Sequence, residues 1–178
     1  MKLSRRDIIG LALAGSAATL AKPALAALTE SGARRLAFHN LHTGESLVAT
    51  YWSDGRYVAN ELRNIDRVLR DFRSGEIKPM DPRLMDLLHV LQKSLDTREP
   101  FQVISGYRSP HTNEMLRHAS DGVAANSLHT VGQAIDIRVP GRRLADVRSA
   151  AITLRQGGVG YYPKSDFVHV DTGRVRIW

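Results

Sequence analysis

The sequence predicts an α+β domain, a mostly antiparallel sheet with helices packed on it, and three observations carry that prediction. Apolar residues recur at helical spacing between Val58 and Leu95, short strand-like runs dominate after Glu99-Pro100, and glycine-rich loops punctuate those runs. The chain has 178 residues, of which 43% are hydrophobic and 24% charged, so a single ordinary core can be buried without staples. It has no cysteine, which excludes disulfide scaffolds and thiolate metal sites. Any metal would therefore serve chemistry more readily than folding.

Residues 1–26 read as an export signal. A charged start with Arg5-Arg6 precedes an apolar run from Ile8 to Leu20, and Ala24-Leu25-Ala26 supplies a small-residue cleavage site. The run is shorter than the roughly 20 residues that cross a bilayer, so no permanent membrane anchor is expected. The arginine pair after Ser4 resembles a twin-arginine signal read by that export machinery; the competing reading is an ordinary secretory signal with an incidental pair. Cleavage would remove Lys2, Arg5, Arg6 and Lys22 against Asp7, lowering the formal charge from +7 to +4. That mild balance gives no argument for a nucleic-acid partner.

The remaining residues, 27–178, show no repeat or linker and are expected to form one domain. Leu36 to Phe38 and Leu47 to Tyr51 flank a turn centred on Thr43-Gly44, which predicts a hairpin. Val58, Leu62, Ile65, Leu69 and Phe72 mark one face of a helix ending before Gly75. Asp81-Pro82, a cap followed by a first-turn proline, opens a second helix whose buried side carries Leu84, Leu87, Leu88, Leu91 and Leu95. His89 among these leucines reads as a core or surface histidine. Strands are predicted at 101–105, 134–139, 159–162, 167–171 and 175–178, with a third helix over about 144–156.

The unusual polar residues gather in the second half. Zinc in a hydrolytic site takes three protein ligands, commonly imidazole and carboxylate, and leaves a position open. His129 and Asp136 suit it: the chain can leave the loop at His129, turn at Gly132 and return along a strand. On that strand Ala134, Asp136 and Arg138 share one face while Ile135, Ile137 and Val139 take the other. A late strand, Phe167 to Asp171, offers His169 as a third ligand. Two-residue patterns of this kind are common by chance, and the ordered set of three is harder to dismiss. His111 and His118 carry no ligand spacing.

Ser127-x-His129-x-x-Gly132-x-Ala134-x-Asp136 followed by a late strand histidine resembles the zinc peptidases grouped with the D-Ala-D-Ala dipeptidases and carboxypeptidases and with the hedgehog amino-terminal domain. The segments 40–46, 105–109, 157–163 and 167–173 resemble the murein endopeptidase K-like members of that group, so the likeness spans nearly all of residues 27–178. It implies a hedgehog-like fold with His129, Asp136 and His169 holding one zinc ion. It also implies a general base near the last ligand. Asp166 fits the spacing D-x-x-H, although strict alternation points it away unless the strand begins with a bend, and Asp171 shares the face of His169; either could instead support a ligand. Arg108 is implied as the group that stabilises the oxyanion and holds substrate, its other reading being a loop arginine paired to an acid; Ser127 reads as a substrate hydrogen-bonding group or a turn cap, and Tyr161 and Tyr162 as cleft walls or packed strand residues.

The function so implied is a monomeric, periplasmic, zinc-dependent peptidase that hydrolyses peptide cross-links of peptidoglycan. A D,D- or L,D-carboxypeptidase or dipeptidase trimming stem peptides is the nearest alternative. An inactive peptidoglycan-binding module is the alternative from another class, and the intact ligand positions speak against it.

Overall fold

The computed structural model describes residues 32–119 and 123–178, so the leader expected at 1–26 lies outside the described residues. The elements are β1 (Arg34–Asn40), β2 (Ser46–Ser53), β3 (Arg56–Tyr57), α1 (Ala59–Val68), α2 (Pro82–Ser94), β4 (Phe101–Ser105), α3 (Pro110–Ala119), a 3-10 turn (Leu128–Val131), β5 (Ala134–Arg138), α4 (Leu144–Leu154), β6 (Gly158–Tyr162), β7 (Phe167–Asp171) and β8 (Arg176–Ile177). The α+β class predicted from the sequence holds.

All strands join one sheet in the order β3-β2-β1-β4-β5-β7-β6-β8. It is a mixed sheet, which corrects the expectation of a mostly antiparallel one: β1 runs parallel to β4, and β8 runs parallel to β6. The reason is connectivity. The chain between β1 and β4 includes α1 and α2, long enough to return β4 beside β1 in the same direction. β8 passes β7 to reach the far side of β6, a step that no local pattern announces.

The helix signals act as read. Asp81 caps α2 by accepting a hydrogen bond from the Arg83 N–H at 2.9 Å, and Pro82 occupies the first turn. Leu84, Leu88 and Leu91 of α2 join Phe38, Phe101, Ile135, Ile137, Val168 and Val170 in one core. Burying each such side chain is worth roughly 1.5–3 kcal/mol. Alternation then decides where the polar residues go: with Ile135, Ile137, Val168 and Val170 turned to the core, Asp136 and His169 face the other way. His89 is a buried residue of α2, edge-on to Tyr51, in keeping with a core histidine.

Two local readings change. The helix expected to run to Phe72 stops at Val68, because Asp71 organises a turn by accepting from the Arg73 N–H while its carbonyl accepts from Gly75. Phe72 leaves the helix and stacks on His42 at 3.8 Å between ring centroids. Helix α3 was not anticipated. Its first turn is capped by Ser109, whose hydroxyl accepts from the Thr112 N–H, and Pro110 follows the cap as Pro82 does in α2.

Candidate metal centre

His129, Asp136 and His169 are brought together although three separate elements supply them. His129 sits on the 3-10 turn, which ends at Gly132 in the left-handed region (φ +71°). A side chain there would also strike the Pro79 carbonyl, 2.5 Å from an ideal Cβ, so glycine is required for the chain to enter β5. Asp136 and His169 are direct cross-strand partners on β5 and β7.

Each imidazole has one nitrogen committed outside the cluster. His129 Nδ1 donates to the Gly106 carbonyl at 2.7 Å, and His169 Nε2 donates to the Asp171 carboxylate at 3.0 Å. When the rings are neutral, as ligation requires, these bonds leave the lone pairs of His129 Nε2 and His169 Nδ1 turned inward, toward the Asp136 carboxylate. The three inward atoms form a triangle with sides of 3.2 Å (His129 to His169), 3.3 Å (His129 to Asp136) and 2.9 Å (His169 to Asp136). A tetrahedral ion with bonds of about 2.0–2.1 Å needs ligand separations of roughly 3.3 Å. Three electron-pair donors crowded so closely call for a cation, and the donor set and its size fit zinc.

Burial alone would raise the Asp136 carboxyl, but with no cation bound the positive charge and N–H donation of imidazoles beside it outweigh burial and hold it well below the usual carboxylate range, a role that a bound cation would take over. Asp171 lies behind His169, fully buried, and its burial too is outweighed by its donors. Besides His169 these are both terminal nitrogens of Arg176, at 3.1 and 2.8 Å, and the N–H groups of Gly158 and Gly173, at 3.0 and 2.8 Å.

The ligands open onto a cleft of about 500 Å³ whose walls include Arg108, Ser127, Tyr162, Phe167 and Trp178. Arg108 approaches Asp136 at 3.7 Å, and its fork is held loosely, by Asn113 at 3.3 Å and Ser105 at 3.5 Å. Its buried Nε has no hydrogen-bond partner among the described residues. The Ser127 side chain makes no capping hydrogen bond, although its carbonyl accepts from Thr130.

Residues 29–178 match the family model described as Peptidoglycan L,D-endopeptidase MepK. The chain belongs to this MepK family. A curated relative from Escherichia coli (strain K12), named Peptidoglycan L,D-endopeptidase MepK, is 48% identical over 176 residues, covering 98% of this chain and 97% of the relative. A relative of the same name from Shigella flexneri has the same identity and coverage. A relative from Haemophilus influenzae, named Probable peptidoglycan L,D-endopeptidase MepK, is 44% identical over 155 residues, covering 86% of this chain and 83% of the relative.

The remaining predicted residues of this MepK-family chain fall in different places. Asp166 has φ +52°, just ahead of β7, and is not among the cleft walls. Its side chain is 60% exposed and pairs with Arg138 at 2.9 Å. Tyr161 is not brought to the cleft: it packs against the core with the Arg148 guanidinium 5.2 Å from its ring, while its neighbour Tyr162 lines the cleft and stacks on Phe167 at 4.6 Å. Trp178 was missed altogether. Its ring lies 5.2 Å from that of His169, and its indole N–H donates to the Tyr162 hydroxyl at 2.8 Å. The aromatic ending Ile177-Trp178 was visible, but nothing local linked it to His169.

Proposed function

We propose that the chain is a zinc-dependent peptidoglycan L,D-endopeptidase that works in the periplasm. The observation that carries this reading is the triangle of His129, Asp136 and His169, sized for a tetrahedral ion, in a chain 48% identical to curated peptidoglycan L,D-endopeptidases over nearly its whole length. The same likeness supports a hedgehog-like peptidase fold.

Zinc, when bound, polarises the scissile carbonyl and makes water a usable nucleophile near neutral pH. The protein's own residues do the rest. The Gly106 carbonyl and Asp171 fix the two imidazoles in the tautomers that ligate. Asp166, three residues before His169 and paired with Arg138, which shares a strand face with Asp136, accepts the proton of the attacking water and passes it to the leaving amine. Asp171 supports His169 instead, since both of its oxygens are occupied and buried. Arg108, a cleft wall beside Asp136, meets the negative charge that develops on the carbonyl oxygen. Ser127 and Tyr162 hold the peptide along the cleft.

An L,D bond joins the two diaminopimelate residues of a 3-3 cross-link, whereas a 4-3 cross-link ends on D-Ala. Isolated sacculi treated with purified protein, with products identified by mass, test the reading. Loss of dimers joined through diaminopimelate supports it. Release of terminal residues alone would establish a carboxypeptidase instead.

The reading extends to a leader at 1–26, cut before Ala27 and exported by the twin-arginine route, and to a monomeric single domain over 27–178 with no permanent anchor. Among the described residues no helix is long and apolar enough to cross a membrane. Changing Arg5-Arg6 to Lys-Lys should strand precursor in the cytoplasm, and normal export of that variant would reject the route.

A further inference from the structure

Strand β6 begins Gly158-Val159-Gly160, and Gly160 pairs directly with His169 on β7. Gly158 and Gly160 therefore share the face on which His169 stands. Neither has room for a side chain. A Cβ on Gly158 would lie 2.5 Å from Arg176 Nη1 and 2.5 Å from Asp171 Oδ2, and one on Gly160 would lie 2.7 Å from the Trp178 ring. The bare backbone of β6 is thus a gap across which two long side chains from the β8 segment reach β7.

What they reach is the support of a metal ligand. Arg176 grips Asp171 with both terminal nitrogens, at 3.1 and 2.8 Å, and Asp171 in turn holds His169 Nε2. Trp178 covers the His169 ring at 5.2 Å and 52°, carries the Arg176 guanidinium 4.7 Å from its own ring, and is tied to Tyr162 through its indole N–H. The backbone of this segment is pinned to β6 by the Trp178 N–H on Val159 and by the Tyr161 N–H on the Trp178 carbonyl. Arg176 offsets the buried charge of Asp171 and fixes its direction, while Trp178 blocks rotation of the imidazole away from Asp136.

We infer that Arg176 and Trp178 are positioning residues of the metal centre, and that Gly158 and Gly160 are glycines so that these two side chains can cross β6 to hold His169. The inference rests on the proposed zinc reading. It makes zinc affinity depend on residues that touch no zinc, by about 10- to 100-fold, as changes to groups supporting a ligand do.

The test is zinc affinity of the leaderless protein, by competition with a chromogenic chelator, with thermal unfolding of the zinc-free forms followed in parallel. Arg176→Gln and Gly160→Ala should weaken zinc binding about 10- to 100-fold. Trp178→Ala should weaken it as well, whereas Trp178→Phe, which keeps a ring over His169, should restore most of the affinity. The absorption spectrum of the cobalt-substituted protein should change in the three weakened variants and stay near the parent's in Trp178→Phe. Zinc binding equal to the parent's in Arg176→Gln and Trp178→Ala would overturn the inference and leave the endopeptidase reading intact. Should Gly160→Ala fail to fold, the contrast between Trp178→Ala and Trp178→Phe decides the matter. A parent protein that binds no zinc would overturn the zinc reading itself, and this inference with it.

Discussion

Asp136 and His169 face each other across β5 and β7, with Oδ1 and Nδ1 2.9 Å apart, so the register of two strands builds two thirds of the ligand triangle before any ion arrives. The same alternation buries Ile135, Ile137, Val168 and Val170 beneath them, which means that the core enforces the register. Replacing His129, Asp136 or His169 by alanine should therefore abolish stoichiometric zinc binding while the circular dichroism of the fold persists. Zinc retained by His169→Ala would remove that residue from the ligand set. Unfolding of all three variants would make the metal structural.

The two aspartates near His169 should separate cleanly. Asp166→Asn should keep zinc and lower kcat by roughly two to four orders of magnitude, the worth of a positioned general base. Asp171→Asn should instead weaken zinc binding about 10- to 100-fold, because it loosens the partner of His169 Nε2 and leaves Arg176 without its acceptor. Steady-state kinetics at saturating zinc, alongside metal titrations, distinguishes them; the reverse pattern would make Asp171 the base.

Arg108→Ala should lower kcat by about 10²- to 10³-fold with zinc still bound, since it removes a donor aimed at developing charge rather than a ligand. A rise in KM with kcat unchanged would show that the guanidinium only holds substrate.

Much of this was legible in the sequence because the decisive signals are local. Asp81-Pro82 announces α2, and the alternation in 134–138 and 167–171 alone separates a core face from a ligand face. The spacing of His129, Gly132 and Asp136 needs one turn and one strand, and that is how it is built. The rest depends on contacts distant in sequence or on single backbone angles. Helix α3 has little apolar signature, with Met115 exposed and Thr112 and Asn113 its buried residues, so only the pair Ser109-Pro110 could have revealed it. The positive φ of Asp166, which sets the direction of its side chain, is not written in its spacing from His169. Trp178 reaches His169 by crossing another strand, and of the two tyrosines expected in the cleft only Tyr162 stands there.

Acid stability should depend on Asp71. Its burial alone would raise its carboxyl, but hydrogen bonds from Thr112, Ser109 and Arg73 outweigh this and hold it well below the usual carboxylate range. A carboxyl lowered in the folded state stabilises the protein fully above its unfolded value of about 4, and that stabilisation is lost as the pH falls below it toward the folded value. Because the Ser109 N–H at the head of α3 is among these donors, Asp71→Asn should lower the melting temperature at pH 7 and flatten its decline below about pH 4. Melting curves of the zinc-free proteins across pH 2–7 would show this, and parallel curves for both would contradict it.

Chelation with add-back on a defined substrate tests whether the triangle of His129, Asp136 and His169 holds the zinc that cuts peptidoglycan cross-links. Purified leaderless protein is stripped with a chelator, assayed on a muropeptide dimer joined between two diaminopimelate residues, and assayed again after one equivalent of zinc. The expected result is hydrolysis of the cross-link that disappears on stripping and returns with zinc in the parent protein but not in His169→Ala. Cleavage that survives stripping, or that zinc restores equally in His169→Ala, would contradict it.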